Sequence, residues 1–196
     1  MDHITGLIGF SPIWAKGTGT RIFTCTRDNR PLNEQIFGPF TPPYWPAHMA
    51  DFSEAECIAI SSEFKIDRFT ITPFTANHPD NTTSFHITDG RKSVVHLLDN
   101  EMPAHDESPV IIEYCRNADL VIFDAAYLLK DYPEKRGWGH STVQDGIKLA
   151  EKSGCKQMLF AHYAQEYSDS DLDQLKDIVP NDDRFIFAHE GMEIEI

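Results

Sequence analysis

The spacing of apolar residues changes partway along the chain, and this change constrains the fold more than any other feature. Between residues 57 and 98 the apolar residues occur in short β-prone runs, whereas from residue 108 onward strands alternate with amphipathic helices. Strands followed by strand-helix alternation are typical of an α/β protein in which helices cover sheets. We therefore predict an α/β fold and a single domain spanning residues 1–196.

Apolar and β-branched runs predict eight strands, at residues 57–60, 69–74, 84–88, 93–98, 119–123, 157–160, 185–187 and 192–196. The dipeptide Asp89-Gly90 lies between the third and fourth strands and indicates a hairpin. Residues 11–50 are rich in proline, glycine and threonine, so they are predicted to form a loop-rich surface segment.

Start and stop signals predict three helices in the second half of the chain. The pair Ser108-Pro109 begins the first helix as an N-cap followed by proline at the first helical position. Ser141 and Gln144 form a capping box for the second helix, which Gly154 ends. Ser170 begins the third helix.

The charge and cysteine content exclude several classes of protein. The formal net charge is -14, from 31 acidic and 17 basic residues. Such a chain repels polynucleotides, because affinity for nucleic acid depends on cations that neutralise phosphates. The four cysteines have no paired spacing, and no apolar run is long enough to cross a bilayer. We therefore expect a cytoplasmic protein that binds neither membranes nor polynucleotides, and we predict no organic cofactor.

Four residues with metal-ligating side chains lie in turns or at predicted strand ends, namely His3, His78, Asp99 and His162. Rigid scaffolds hold functional groups at such positions. Imidazoles combined with carboxylates favour zinc, with manganese and iron as alternatives. Each residue alone also has a simpler interpretation, since a strand-end aspartate is usually a turn former. His140, just before Ser141, would by itself be read as a surface histidine.

The order of the motifs resembles a known family, the metallo-β-lactamase superfamily. The segments that carry the resemblance are Asp2-His3-Ile4-Thr5-Gly6-Leu7, Asn77-His78-Pro79, Leu98-Asp99 and Phe160-Ala161-His162-Tyr163. The segment Gly139-His140-Ser141-Thr142 is similar to the Gly-His-Ser-Thr motif of the branch that contains ribonuclease Z and class II cyclic-nucleotide phosphodiesterases. Each motif alone is weak, but the ordered series extends over essentially the whole chain.

The resemblance implies an αββα sandwich that lacks its first N-terminal strands, so that residues 1–196 form the C-terminal two-thirds of the usual fold. It implies two metal ions. Asp2, His3, Asp99 and His162 would bind one ion. His78 and the shared Asp99 would bind the other, together with two histidines that precede Asp2 in family members and have no counterpart in this sequence.

The resemblance also implies a reaction, the attack of a metal-activated hydroxide on a phosphodiester. Asp2 would orient or deprotonate the water, and His140 would donate a proton to the leaving oxygen. The net charge favours a small-molecule substrate, either a small phosphodiester or a cyclic nucleotide.

The N-terminal departure from the family pattern leaves several alternatives open. A sheet edge without its usual neighbours favours pairing with another chain, so we expect either a homodimer or a start assigned too far downstream. A catalytically impaired fragment would serve as an assembly or binding module instead. A third alternative keeps the fold and the metals but hydrolyses lactones or other esters.

Overall fold

A computed structural model describes residues 2–27, 29–79, 82–103, 108–180 and 182–196, without the side chain of Asp2. The contacts divide the chain into two compact units, Met1–Ser62 and Glu63–Ile196. A single domain over residues 1–196 stays a prediction. The helices within these described ranges are too short or too polar to traverse a lipid bilayer.

The first unit has a small core of its own. Its parallel strands are β1 (Thr20–Thr24) and β2 (Ala55–Ala59), joined by helix α1 (Leu32–Phe37). Its 3-10 helices are Asp2–Gly9, Ser11–Ile13, Gly38–Phe40 and Met49–Phe52. The rings of Phe37 and Phe52 stack with centroids 4.4 Å apart, and both are buried. The prediction of a loop-rich surface segment at residues 11–50 is wrong in part, because β1 and α1 lie within it and burial of Phe37 and Phe40 outweighs the turn-forming composition there.

The second unit contains one sheet of seven strands in sequence order from β3 to β9. Its strands are β3 (Phe64–Ile66), β4 (Phe69–Thr75), β5 (Thr83–Thr88), β6 (Ser93–Leu97), β7 (Leu120–Asp124), β8 (Gln157–Ala161) and β9 (Phe185–Phe187). Its helices are α2 (Pro109–Cys115), α3 (Tyr132–Lys135), α4 (Val143–Ser153) and α5 (Asp169–Lys176). The strands from β3 to β6 are antiparallel, and those from β6 to β9 are parallel. The predicted α/β class is confirmed.

The predicted strands agree with the sheet except near its two edges. The hairpin at Asp89-Gly90 is confirmed, since β5 and β6 pair antiparallel on either side of it and Gly90 has a φ of 87°. Strand β3 was not predicted. The predicted strand at residues 192–196 is wrong, because none of the described strands pairs with it despite its alternating apolar pattern.

Two of the predicted helix starts are displaced by one or two residues. Thr142 rather than Ser141 caps α4, and Ser168 rather than Ser170 caps α5; each cap accepts a hydrogen bond from the amide three residues later. The hydroxyl of Ser141 instead donates to the carbonyl oxygen of Asn100 at 2.5 Å. A tertiary contact thus removes Ser141 from its predicted capping role.

Asp119 precedes β7 at the end of the strand opposite Asp124, and it is 7% exposed. The carboxylate lies 2.8 Å from Nζ of Lys156 and 3.2 Å from Nζ of Lys92, and it accepts the amide of Ser93 at 2.9 Å. The hydrogen bond from Lys156 is the main cause that lowers the pKa of Asp119 to about 2.

This lowered pKa predicts a specific loss of stability in acid. A carboxyl whose pKa is lower in the folded state stabilises the fold above its unfolded pKa of roughly 4, and this contribution is lost as the pH falls toward about 2. Asp119→Asn should therefore lower the free energy of unfolding at neutral pH and flatten its decline between these pH values. Urea unfolding at a series of pH values measures both effects, and an unchanged pH profile in the variant would contradict this account.

Candidate metal centre

Three adjacent parallel strands bring their carboxyl ends to one edge of the sheet. Leu97 of β6 pairs with Phe123 of β7, and Asp124 of β7 pairs with Ala161 of β8. Each of the three strands therefore ends at, or is followed within two residues by, an aspartate or a histidine, and these residues lie along the same edge of the sheet. In open α/β sheets, ligands commonly bind outside the carboxyl ends of the strands.

Asp99 follows β6 and His162 follows β8, and both have left-handed backbone conformations. Their φ angles are 48° and 65°. For residues other than glycine this conformation costs on the order of 1 kcal/mol and tends to occur at functional sites.

The side chains of Asp99, Asp124, His140 and His162 converge at this edge. One potential ligand atom from each lies within 4.8 Å of the others. Nε2 of His162 lies 3.3 Å from Oδ1 of Asp99, and Nδ1 of His140 lies 3.8 Å from the same oxygen. The structure thus brings together three of the residues singled out in the sequence, Asp99, His140 and His162, and adds a fourth.

Asp124 is the functional residue that the sequence analysis missed. Its side chain is fully buried and accepts a hydrogen bond from the amide of Ala126 at 3.1 Å, and Oδ2 lies 2.8 Å from Nδ1 of His140. Burial alone would raise the pKa of Asp124, but the hydrogen bonds and charges of His140 and His162 lower it below the usual value. The carboxyl is therefore ionised at neutral pH and orients the imidazole of His140.

Glu101 anchors the loop that carries His140. Its buried carboxylate accepts the amide of Gly137 at 2.9 Å, the amide of Gly139 at 3.0 Å and the hydroxyl of Tyr132 at 2.9 Å. The amide of Glu101 itself donates to the carbonyl oxygen of Asn77 at 2.8 Å. One residue therefore connects the His140 loop to the loop that contains His78.

His78 lies beside this cluster, with its ring centroid 5.5 Å from that of His140. Gly139 packs directly on the His78 ring, since a Cβ atom at Gly139 would lie 2.1 Å from Cδ2 of His78. The role of His78 as a metal ligand stays a prediction, but its position at the edge of the cluster is fixed by this close contact.

Asp2 and His3 belong to the first unit. Asp2 begins the 3-10 helix Asp2–Gly9, and its side chain lies outside the described residues. His3 lies in the same helix and is exposed. Their roles as ligands, and the role of Asp2 in activating water, stay predictions from the family resemblance.

The close contact at Gly139 predicts that alanine is not tolerated there. Besides the overlap with His78, the φ of 95° at Gly139 is strained for any other residue. We expect Gly139→Ala to displace the His140 loop, lower the free energy of unfolding by about 1–3 kcal/mol and reduce any turnover about tenfold or more. Gly90→Ala is the control, since it shares a positive φ but has open space around the added methyl group. Equal thermal stability and activity in the two variants would contradict the packing argument.

The donor set of the cluster fits a divalent cation. Asp99 and Asp124 are 5% and 0% exposed, and two carboxylates so close together in a buried site repel each other unless positive charge compensates them. Imidazole nitrogen and carboxylate oxygen together are ligands that zinc, manganese and iron accept. Ligand atoms from three of these four residues could contact one ion after small side-chain adjustments, because one such atom from each residue already lies within 4.8 Å of the others.

This combination of sheet, strand-end aspartates and histidines defines a protein of the metallo-β-lactamase fold. The metallo-β-lactamase fold protein YhfI from Bacillus subtilis superposes with a TM-score of 0.67 at 21% identity, covering 94% of this chain and 67% of that one. A diphosphatase from the PhnP family superposes with a TM-score of 0.70 at 18% identity, covering 100% of this chain and 67% of the other.

A sequence model described as the beta-lactamase superfamily domain matches residues 1–163, and the chain belongs to this family. Its curated relatives include ribonuclease Z of Brevibacillus brevis, which is 29% identical over 68 residues. That match covers 35% of this chain and 21% of the relative, so the chain spans only about a fifth of the enzyme in the comparison. The resemblance to the metallo-β-lactamase superfamily and to ribonuclease Z within it, inferred from the ordered motifs, is confirmed.

Proposed function

We propose that this protein is a metal-dependent phosphodiesterase that acts on a small phosphodiester or a cyclic nucleotide. The observation that carries the proposal is the cluster of aspartates and histidines at the carboxyl ends of β6, β7 and β8. In this cluster His140 is hydrogen-bonded to the fully buried Asp124. The second pair, Asp99 and His162, lies beside them. Similar proteins include a ribonuclease and a diphosphatase, whose names denote cleavage of bonds to phosphorus.

The hydrogen bonds divide the four residues into two roles. Asp124 already accepts hydrogen bonds from Ala126, Asn100 and His140, so its oxygens are engaged within the protein. We propose that Asp99 and His162, whose Oδ1 and Nε2 atoms lie 3.3 Å apart, hold the cation, and that the ion is zinc. When bound, a divalent cation activates water for attack and offsets negative charge on the phosphate.

His140 is proposed to donate a proton to the leaving oxygen. Its Nδ1 atom is held by Asp124 at 2.8 Å, which fixes the ring orientation and leaves Nε2 as the nitrogen that transfers the proton. Protonated imidazole beside a buried carboxylate also stabilises negative charge on the departing group. Asp124 acts through His140 and is a positioning residue.

The charge of the chain supports a small substrate. A net charge of -14 repels a polyanion over a longer range than it repels a single phosphodiester, and the repulsion increases with the number of phosphates. A homodimer stays a prediction.

Hydrolysis assays on matched ester panels test the proposed function. The protein is incubated with zinc or manganese and with bis(p-nitrophenyl) phosphate, p-nitrophenyl acetate or an aliphatic lactone, and His140→Gln serves as the site variant. We expect metal-dependent release of p-nitrophenol from the phosphodiester. We also expect hydrolysis of 3′,5′-cyclic adenosine monophosphate that the variant lowers about a hundredfold, because the alkoxide leaving group of this substrate requires a proton. Faster hydrolysis of the acetate or the lactone would contradict the phosphodiesterase proposal and favour the alternative of ester hydrolysis. Metal binding without turnover of any substrate would favour the alternative of a binding module.

A further inference from the structure

We propose that Trp138 is a substrate-binding residue that stacks on a flat aromatic group, such as a nucleobase, attached to the phosphate. This inference rests on the proposed function, since it assumes that the phosphate lies at the metal centre. It assigns the class of substrate as a nucleotide rather than an aliphatic phosphodiester. Neither the metal cluster nor the role of His140 requires this residue.

Trp138 is exposed on a loop that is held firmly in place. The indole is 57% exposed, although burying so large an apolar side chain would be favourable. The amides of its two neighbours, Gly137 and Gly139, both donate hydrogen bonds to the buried carboxylate of Glu101. The loop is therefore pinned on either side of Trp138, and the exposed ring is displayed by a rigid backbone.

This loop lies at the metal centre. Gly139 packs against the ring of His78, and His140 follows immediately with its hydrogen bond to Asp124. Only Gly139 lies between Trp138 and the proposed proton donor in the sequence. A ligand whose leaving oxygen reaches His140 therefore has its attached group within the neighbourhood of Trp138.

Lys135 supports the indole from within the same segment. Its Nζ atom lies 4.9 Å from the centroid of the Trp138 ring and 5.3 Å from that of Tyr127, and it forms an ion pair with Glu166 at 2.7 Å. Cation–π contacts of this kind contribute on the order of 1 kcal/mol and restrict the ring orientation. The buried Tyr127 ring in turn lies 5.6 Å from the His140 ring, so a series of contacts through Lys135 and Tyr127 connects the indole to the site.

A preordered, exposed indole is a suitable stacking surface for a base. Aromatic side chains bind bases through stacking with little dependence on which base is present, and loss of one such contact weakens binding by about 5- to 150-fold. Rigidity adds to the affinity because little conformational freedom is lost on binding. A simple apolar contact would not distinguish an aromatic group from an aliphatic group of equal size.

Calorimetric binding of two matched ligands tests the inference without turnover. Adenosine 5′-monophosphate and ribose 5-phosphate carry the same charged group and differ by the base, and each is titrated into the zinc-loaded and the metal-free protein. Trp138→Leu keeps apolar bulk without the ring, and Trp138→Phe keeps a smaller ring. We expect the unsubstituted protein to bind the nucleotide about tenfold or more tightly than the sugar phosphate, with this preference lost in the leucine variant and largely kept in the phenylalanine variant.

Several outcomes would overturn the inference. Equal affinity for the two ligands, no measurable binding of either, or a preference that survives Trp138→Leu would each exclude Trp138 as a stacking residue. Circular dichroism melts of both variants establish that the loop change leaves the fold intact. Failure of the proposed function is recognised separately, because it appears as absent hydrolysis of phosphodiesters while the base-dependent difference in binding persists.

Discussion

Asp99→Asn is expected to abolish binding of a divalent cation by the second unit and to lower phosphodiester hydrolysis by about a thousandfold or more. The carboxylate of Asp99 is 5% exposed and lies 3.3 Å from His162 Nε2 and 3.8 Å from His140 Nδ1, so it contacts both imidazoles of the cluster. Replacing it with an amide removes one negative charge and one anionic ligand from the site. Loss of cation-derived stabilisation of several kcal/mol corresponds to this fall in rate.

The second unit provides a matched control for this substitution. Asp119→Asn also changes a buried strand-end aspartate of the same sheet to an amide, but Asp119 lies at the amino end of β7 and is paired with Lys92 and Lys156. Zinc content after dialysis and the hydrolysis rate are measured for both variants. If both variants lose equal amounts of metal, or if Asp99→Asn retains full zinc and full rate, the assignment of Asp99 is wrong.

A second substitution, Asp124→Asn, should lower kcat about a hundredfold while leaving bound metal nearly unchanged. Asp124 orients His140 through the 2.8 Å hydrogen bond to Nδ1, and the amide would present a donor or a weaker acceptor at that atom. The imidazole then adopts the wrong tautomer or orientation for proton transfer. KM should change little, since the group acts in the transition state through His140.

Combining Asp124→Asn with His140→Gln separates positioning from a structural effect. If Asp124 acts through His140, the double variant should be about as slow as His140→Gln alone, because residues that act as one unit are not additive. A metal content that falls together with kcat would show instead that Asp124 ligates the cation. Multiplied losses in the double variant would contradict the proposed pair.

Six of the seven strands of the second unit could be predicted because their signals are local. Alternating or continuous apolar runs identified β4 to β9, and Asp89-Gly90 identified a hairpin. The cap of α4 could not be placed correctly, since the Ser141 hydroxyl bonds to Asn100, which lies 41 residues away in the sequence. The buried core of the first unit was hidden for a related reason, as its aromatic residues come from separate short helices.

The candidate site was predictable where a strand end gave a signal. Asp99 and His162 follow buried strands, and the ordered motifs pointed to both. Asp124 carries the same signal at the end of β7 and could have been found by applying the rule to every strand. Glu101 could not, because its role depends on amides of a loop 36 and 38 residues further along the chain.

The position of bound zinc tests the central claim most directly. Crystals of the zinc-loaded protein would be measured at the zinc absorption edge, where anomalous scattering locates the ion. The account predicts an ion about 2.0–2.2 Å from a carboxylate oxygen of Asp99 and from Nε2 of His162, with Nδ1 of His140 still hydrogen-bonded to Asp124. The absence of an anomalous peak between Asp99 and His162 would contradict it.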